Sequence, residues 1–234
     1  MALYAISDLH LALSVDKPMD VFGEKWDNYM QRLEYNWRNT IGAEDYVIIP
    51  GDISWATYLE QAVQDFKFIE ALPGKKIISK GNHDYWWTTH KKLERFLDEN
   101  KFSTIHFMHN NSFEVGNISI CGTRGWICPG DEGFGEEDGK IYKRELQRLE
   151  LSLKSTSASD TDIIIAAMHY PPFNSKKEPT EFVEIMGRYN VKLCIYGHLH
   201  GTAFKNAVTG KIEGMDFKFI SADFIGFKPV ALEV

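Results

Sequence analysis

The sequence predicts an α/β layered fold, and three observations support this prediction. Five short apolar runs, mostly rich in Ile, Val or Tyr, are too short for helices and are predicted to be buried strands. The segments between most of these runs place apolar residues at helical spacing. Strands and helices therefore alternate along most of the chain, which is typical of a layered α/β domain.

The elements can be justified in chain order. The predicted strands are 3–6, 46–49, 76–79, 163–168 and 192–196. The predicted helices are 26–37, 59–69, 93–97, 141–153 and 182–186. In the first helix, Trp26, Met30, Leu33 and Trp37 form the apolar stripe. Residues 202–222 instead contain short strands separated by Gly210 and Gly214, which predicts antiparallel pairing in a second sheet.

Length and composition limit the class of protein. The 234 residues suit a single domain spanning 1–234, and a hydrophobic fraction of 44% is ordinary for a soluble globular chain. The net charge of -7 and the lack of a Lys/Arg cluster argue against nucleic acid as a partner. The chain has no long apolar run, so no membrane association is expected. Three scattered cysteines and the lack of a signal peptide indicate a cytoplasmic protein with reduced thiols.

Metal-binding residue types directly follow each of the five predicted strands. In order, they are Asp8 and His10, Asp52, Asn82 with His83 and Asp84, His169, and His198 with His200. Ligands of open α/β sheets bind at the carboxyl ends of the strands, so we expect these side chains to meet at one edge. Imidazole and carboxylate ligands together suit transition metals such as Mn, Fe, Zn or Ni.

Each of these motifs has a structural alternative when taken alone. Gly51-Asp52 is a common turn sequence, and Asp8 could be a helix N-cap. Asn82-His83-Asp84 could be a polar turn. A single histidine such as His169 is usually a surface residue or a core residue whose hydrogen bonds are satisfied. The combination favours function, because five such motifs follow five predicted strands in a fixed order.

Together these motifs resemble those of the calcineurin-like metallophosphoesterase superfamily over residues 8–200. The resemblance implies an α/β four-layer α/β/β/α sandwich with two mixed β-sheets. It also implies two divalent metal ions, with Asp52 bridging both and His83 catalytic, with Asp84 orienting it. The ligands implied for the first metal are Asp8, His10 and His200, and those for the second are Asn82, His169 and His198.

The implied activity is hydrolysis of a phosphomonoester or small phosphodiester, through attack by a hydroxide that bridges the two metals. Many members carry an acidic residue three positions after Gly-Asp, whereas this chain has Trp55 there, which argues against a phosphoprotein phosphatase. A nuclease of the same superfamily is the alternative enzyme, and the acidic charge argues against it. A non-catalytic scaffold is a further alternative, but it predicts missing ligands, and none of the expected ones is missing.

Three features are candidates for choosing a small phosphorylated substrate. Arg124 could bind a phosphate with two hydrogen bonds or form a structural salt bridge. The long loop 122–139 lies between a predicted strand and a helix, and loops of that length are often functional. Trp55 and the aromatic run 85–87 could stack a flat leaving group, although we expect the run to be the buried start of a helix.

Overall fold

The structure is a computed structural model that describes residues 1–156 and 163–233. The strands are β1 (Leu3–Ala5), β2 (Tyr46–Pro50), β3 (Lys75–Ser79), β4 (Ile105–Phe107), β5 (Phe113–Val115), β6 (Ile118–Thr123), β7 (Ile163–Met168), β8 (Leu193–Tyr196), β9 (Gly210–Ile212), β10 (Met215–Phe219) and β11 (Val230–Ala231). The α-helices are α1 (Tyr29–Arg38), α2 (Val63–Glu70), α3 (His90–Asn100), α4 (Glu136–Lys154) and α5 (Glu181–Arg188).

The strands form two mixed sheets. The first has the order β11-β1-β2-β3-β4, with β1 to β4 parallel and β11 antiparallel at one edge. The second has the order β5-β6-β7-β8-β10-β9, with the four central strands parallel and an antiparallel strand at each edge. Parallel strands with helical connections are buried on both faces, which explains why their sequences are apolar runs.

Three hydrophobic clusters fill the spaces between the layers. Between the sheets, residues such as Ala5 and Ile48 of the first sheet pack with Ile165 and Ile195 of the second. A second cluster joins the outer face of the first sheet to α1, α2 and α3. A third joins the outer face of the second sheet to α4 and α5. The predicted four-layer sandwich with two mixed sheets is therefore confirmed.

The five predicted strands form with boundaries shifted by one residue at most, and all five predicted helices form. The C-terminal prediction is right in part. Strands β9 and β10 pair antiparallel around Gly214, but β10 also pairs parallel to β8, and Gly201–Asn206 is a 3-10 helix rather than a strand. The helix predicted from residue 26 begins at Tyr29, because a 3-10 turn, Glu24–Trp26, comes first.

Cys121, Cys128 and Cys194 are buried free thiols, as the sequence predicts. Within the described ranges, every helix is too short or too polar to cross a bilayer.

Candidate metal centre

The carboxyl ends of five strands meet at one place between the sheets. Strands β1, β2 and β3 of the first sheet and β7 and β8 of the second end there. The structure brings together all seven residues for which the sequence suggests metal ligation. They are Asp8, His10, Asp52, Asn82, His169, His198 and His200.

Asp8, His10 and His200 form a first cluster. The Nε2 atoms of His10 and His200 are 3.3 Å apart, and His200 Nε2 lies 3.4 Å from Asp8 Oδ1. Each residue offers one ligand atom, and all three atoms lie within 4.8 Å of one another. These three atoms can therefore reach a single ion.

Asn82, His169 and His198 form a second cluster. Asn82 Oδ1 lies 2.7 Å from His169 Nε2 and 2.8 Å from His198 Nδ1. The two imidazole nitrogens are 3.2 Å apart. The three ligand atoms again point at one small volume.

Asp52 lies between the two clusters. Its Oδ2 atom is 3.7 Å from His10 Nε2 in the first cluster and 3.4 Å from His169 Nε2 in the second. Its Oδ1 atom accepts a hydrogen bond of 2.8 Å from the backbone N–H of His83. The Asp52 carboxylate therefore lies within reach of a histidine of each cluster.

The backbone at the centre adopts conformations that non-glycine residues seldom take. Asp8, His10, Asp52 and His198 have φ values of 61°, 47°, 52° and 73°. Left-handed backbone is uncommon outside glycine, and strained residues cluster at functional sites. Gly197 is needed for close approach, because a Cβ there would overlap the side chains of Ser7 and Asp8.

Neighbouring groups orient the ligands. His200 Nδ1 lies 2.9 Å from Asp223 Oδ1, and His169 Nδ1 lies 3.1 Å from the carbonyl oxygen of Pro50. Each contact uses one ring nitrogen and leaves the other directed at the centre, as is typical of metal-binding histidines. Asp223 was not among the predicted site residues, because the backbone that carries it follows β10 rather than one of the five predicted strands.

Asp8 is held by two hydroxyls that were also not predicted. Ser7 Oγ donates to Asp8 Oδ2, and Ser221 Oγ donates to the same oxygen at 2.9 Å. Ser7 could have been found from its place beside Asp8. No local signal points to Ser221, which lies 213 residues away in the chain.

Burial controls the protonation of the histidines. It lowers the pKa of His10 and His198 well below the ordinary value, and it lowers the pKa of His169 to about 4. These rings are therefore neutral near pH 7, with a lone pair available for a metal. Burial opposes protonation of His200 too, but hydrogen bonds to Asp223 and Asp8 outweigh it and raise the pKa to about 10.

The two carboxylates respond differently to burial. Burial raises the pKa of Asp8, but its hydrogen bond with His200 and the positive charge of that imidazole outweigh this and hold the pKa well below the usual range. For Asp52, burial and the negative charges of Asp84 and Asp8 raise the pKa well above its ordinary value. A buried carboxylate among other carboxylates needs a positive partner, and a divalent ion would supply one.

The donor set fits divalent metal ions. It combines four imidazoles, two carboxylates and one amide oxygen, with no thiolate. Mixed nitrogen and oxygen donors suit first-row transition metals better than Mg²⁺ or Ca²⁺.

His83 lies beside the first cluster, with its ring centroid 5.7 Å from that of His10. Burial lowers its pKa, so the imidazole is neutral near pH 7. The expectation that Asp84 orients the His83 ring is wrong. Both Asp84 oxygens instead accept hydrogen bonds from the backbone N–H groups of Asp52, Ile53 and Gly81, at 2.7 to 2.9 Å.

The hydrogen bonds of Asp84 therefore hold the two loops rather than the His83 ring. The Asp84 side chain is fully buried, and its contacts tie the loop after β2 to the loop after β3. Burial raises the pKa of Asp84 to about 6, although backbone hydrogen bonds from Gly81 and Ile53 oppose the shift. This role could not be predicted from the sequence, because it depends on how two distant loops approach each other.

Arg124 forms a structural salt bridge. Its Nη2 atom lies 3.0 Å from Glu145 Oε1, and the Glu145 side chain is fully buried. The guanidinium also lies over the ring of Trp126, 4.4 Å from its centroid. The salt-bridge alternative is therefore the one that the structure shows, and phosphate binding by Arg124, which also lines a cavity with Lys80 and Arg148, stays a prediction.

The aromatic residues divide between core and surface. Trp86 is buried in the core, but Tyr85 is 63% exposed, and the run 85–87 precedes α3 rather than starting it, so the expected buried helix start is confirmed only for the burial of Trp86. Trp55 packs against the centre, with its ring centroid 4.4 Å from that of His83 and 5.0 Å from that of His10. Trp26 lies with its edge against His10, which was not predicted because its spacing placed Trp26 in the helical stripe of α1.

Comparison with protein families agrees with this geometry. The profile of the calcineurin-like phosphoesterases matches residues 1–202. The chain belongs to the calcineurin-like phosphoesterase family. No curated protein gave a significant match.

Solved structures of the same fold include three that align over nearly the whole chain. One is a protein of unknown function, AQ665, from Aquifex aeolicus, with 19% identity, a TM-score of 0.51 and coverage of 98% of this chain and 95% of that one. Another is the phosphopantetheinyl hydrolase PptH from Mycobacterium tuberculosis, with 12% identity, a TM-score of 0.56 and coverage of 98% and 95%. TT1561 from Thermus thermophilus has 12% identity, a TM-score of 0.53 and coverage of 99% and 97%. At these identities the likeness concerns the fold.

Proposed function

We propose that this chain is a dinuclear metal-dependent phosphoesterase that hydrolyses a phosphomonoester or a small phosphodiester. The observation that carries the proposal is the convergence of seven buried or half-buried donors, in two clusters that share Asp52. Membership of the calcineurin-like phosphoesterase family supports the reaction class.

Each donor has a specific role in the proposal. Asp8, His10 and His200 would hold one divalent ion, and Asp52 would hold both. Asn82, His169 and His198 would hold the other ion. When bound, Mn, Fe, Zn or Ni ions would act as Lewis acids on the phosphoryl oxygens and make water acidic enough to attack phosphorus near neutral pH.

The side chains set the charge of the centre. Asp8 and Asp52 bring two negative charges, and the other five donors bind as neutral groups, so two divalent ions would leave a net charge of about plus two. That excess attracts a phosphate group. The acidic chain as a whole does not oppose this, because the local charge dominates at short range.

His83 would act on the substrate rather than on the ions, and its contacts support this role. Its backbone N–H fixes Asp52, and its ring lies next to His10. A neutral imidazole still donates one N–H, either to a phosphoryl oxygen or to the leaving oxygen. A bound phosphate would also favour its protonated form through the nearby negative charge.

The test is turnover by metal-stripped protein to which Mn²⁺, Fe²⁺, Zn²⁺ or Ni²⁺ is added singly. Bis-p-nitrophenyl phosphate reports diesterase activity, and p-nitrophenyl phosphate reports monoesterase activity. We expect hydrolysis of at least one substrate, lost on chelation and restored by metal. If no metal gives turnover with any phosphoester of a broad panel, the proposal is refuted.

A further inference from the structure

A large cavity opens directly beside the candidate metal centre. Its volume is about 900 Å³, within the usual range for small-molecule sites. It is lined by His10, His83 and His200 of the centre and its surroundings, by six residues between Val15 and Trp26, and by Trp55 and Tyr85 among others. We call it the aromatic cavity. Loop 122–139, a candidate from the sequence for choosing the substrate, borders a smaller cavity of about 150 Å³ that His198 also lines.

Flat side chains line this cavity at several angles. Trp55 stacks on the His10 ring with an interplanar angle of 23°. Trp26 meets His10 edge-on, with their ring centroids 5.7 Å apart. Phe22 and Tyr85 line the same cavity and are 57% and 63% exposed. Large aromatic groups left exposed around a concave surface mark an interaction site.

The charges on the walls favour an uncharged occupant. Asp16 and Lys17 both line the cavity and carry opposite charges, so together they contribute no net charge. The Lys17 ammonium lies over the ring of Trp55, 4.5 Å from its centroid, and it forms no salt bridge with any described residue. A cation held on an aromatic face can yield to a stacked ring, whereas a second phosphate would also have to approach Asp16.

We propose that the aromatic cavity binds a planar, uncharged aromatic ring on the leaving group of the phosphoester, as in a nucleotide. This inference rests on the proposed function and names its substrate class. The His83 ring lies near both His10 of the first cluster and the rings of Trp55 and Tyr85, and all four line the cavity. A phosphate at the metal centre would therefore place its leaving group among these aromatic side chains. Stacking on such side chains does not depend on the identity of the base.

The kinetic experiment compares adenosine 5′-monophosphate with ribose 5-phosphate, using the metal-loaded enzyme. Both carry the phosphate on the same primary alcohol, so the base is the main difference. We expect kcat/KM to be about tenfold or more higher for the nucleotide, the scale of one good stacking contact. Equal values for the two substrates would overturn the inference, as would a preference for ribose 1,5-bisphosphate over the nucleotide.

Variants locate the effect in the cavity. Phe22→Ala and Tyr85→Ala should lower the ratio of the two kcat/KM values at least threefold each, and the exposure of both side chains argues against unfolding as the cause. Tyr35→Ala is the matched control, because Tyr35 is 70% exposed on α1 and does not line the cavity. A Tyr35→Ala ratio that falls as far as the cavity variants would overturn the assignment.

A binding experiment separates this inference from the proposed function. Adenosine, which has no phosphate, should bind metal-free protein saturably and quench the tryptophan fluorescence to which Trp55 and Trp26 contribute. Phe22→Ala should weaken this binding. Hydrolysis without a ring preference and without adenosine binding would overturn the cavity assignment and leave the phosphoesterase standing. Adenosine binding without hydrolysis of any phosphoester would refute the proposed function and keep the ring site.

Discussion

Asp52 is the residue on which the two clusters depend. It contacts a histidine of each cluster, and burial together with Asp84 and Asp8 raises its pKa. Ionising this carboxylate is costly without a nearby cation, yet it is the group that two ions would share. The negative charge of the Asp52 carboxylate would therefore be stabilised by bound cations.

Replacing the Asp52 carboxylate by an amide tests that dependence. Asp52→Asn should lose metal and activity together, with turnover lowered at least a hundredfold, because a neutral amide cannot neutralise two ions. Metal content after gel filtration and kcat on p-nitrophenyl phosphate measure this. Asp98→Asn, an exposed change on α3, is the control. Full metal occupancy with normal turnover in Asp52→Asn would refute the bridging role.

His83 should behave differently from the metal-holding residues. His83→Ala is expected to keep its metals but to lower kcat roughly a hundredfold or more, which is the usual scale for a general acid. Metal analysis and steady-state kinetics on the same preparation separate the two effects. An unchanged kcat would remove His83 from the reaction, and a loss of metal would reassign it to the metal centre.

At the scale of elements, the centre depends on loops that approach one another closely. Gly81, after β3, lies against Asp52, after β2, and a Cβ at Gly81 would overlap the Asp52 carboxylate and amide nitrogen. Asp84 reinforces this contact by accepting hydrogen bonds from the N–H groups of both loops. The position of the Asp52 carboxylate is thus set by packing between the two loops.

Gly81→Ala should therefore displace Asp52 without removing any donor. We expect metal affinity to fall roughly ten- to a hundredfold, as when the support of a metal ligand is lost, and stability to fall by about 1–3 kcal/mol. Gly187→Ala is the control, since Gly187 is exposed in α5 and a Cβ there meets nothing within 4 Å. Equal metal affinities in the two variants would contradict the packing argument.

The elements that the sequence predicts well are those governed by local pattern. Strands β2 and β7 are continuous apolar runs, and polar residues directly after them must lie at the carboxyl edge of the sheet. The positions of Asp52 and His169 can therefore be predicted from the sequence alone. The 3-10 helix Gly201–Asn206 could not, because nothing local distinguishes it from a short strand. The contact of Asp223 with His200 could not be predicted either, because it depends on how the chain packs after β10.

For the whole molecule, the centre connects the two sheets. Asp8, His10, Asp52 and Asn82 come from loops of the first sheet, whereas His169, His198 and His200 come from loops of the second. Ions bound here would add bonds between layers that otherwise meet through the apolar residues between the sheets. A ligand that binds only the folded state stabilises it by mass action.

Metal should therefore raise the melting temperature, and the increase should depend on pH. The pKa of His200 is raised to about 10, so without metal this ring carries a proton that an ion must displace. His10, His169 and His198 have lowered pKa values and bind without releasing a proton near neutral pH. The increase in melting temperature should therefore be larger at higher pH, because removing the His200 proton becomes easier as the pH rises.

Metal affinity should then increase roughly tenfold per pH unit between pH 6 and 8 for each proton displaced. The raised pKa of Asp52 adds to this trend wherever its carboxyl still holds a proton. Titration of Mn²⁺ into stripped protein at several pH values, followed by thermal unfolding, measures both affinity and stabilisation. Stripped protein without metal gives the baseline melting temperature at each pH. An affinity that stays constant from pH 5 to 8 would mean that no protonated group is displaced, and would argue against His200 as a metal ligand.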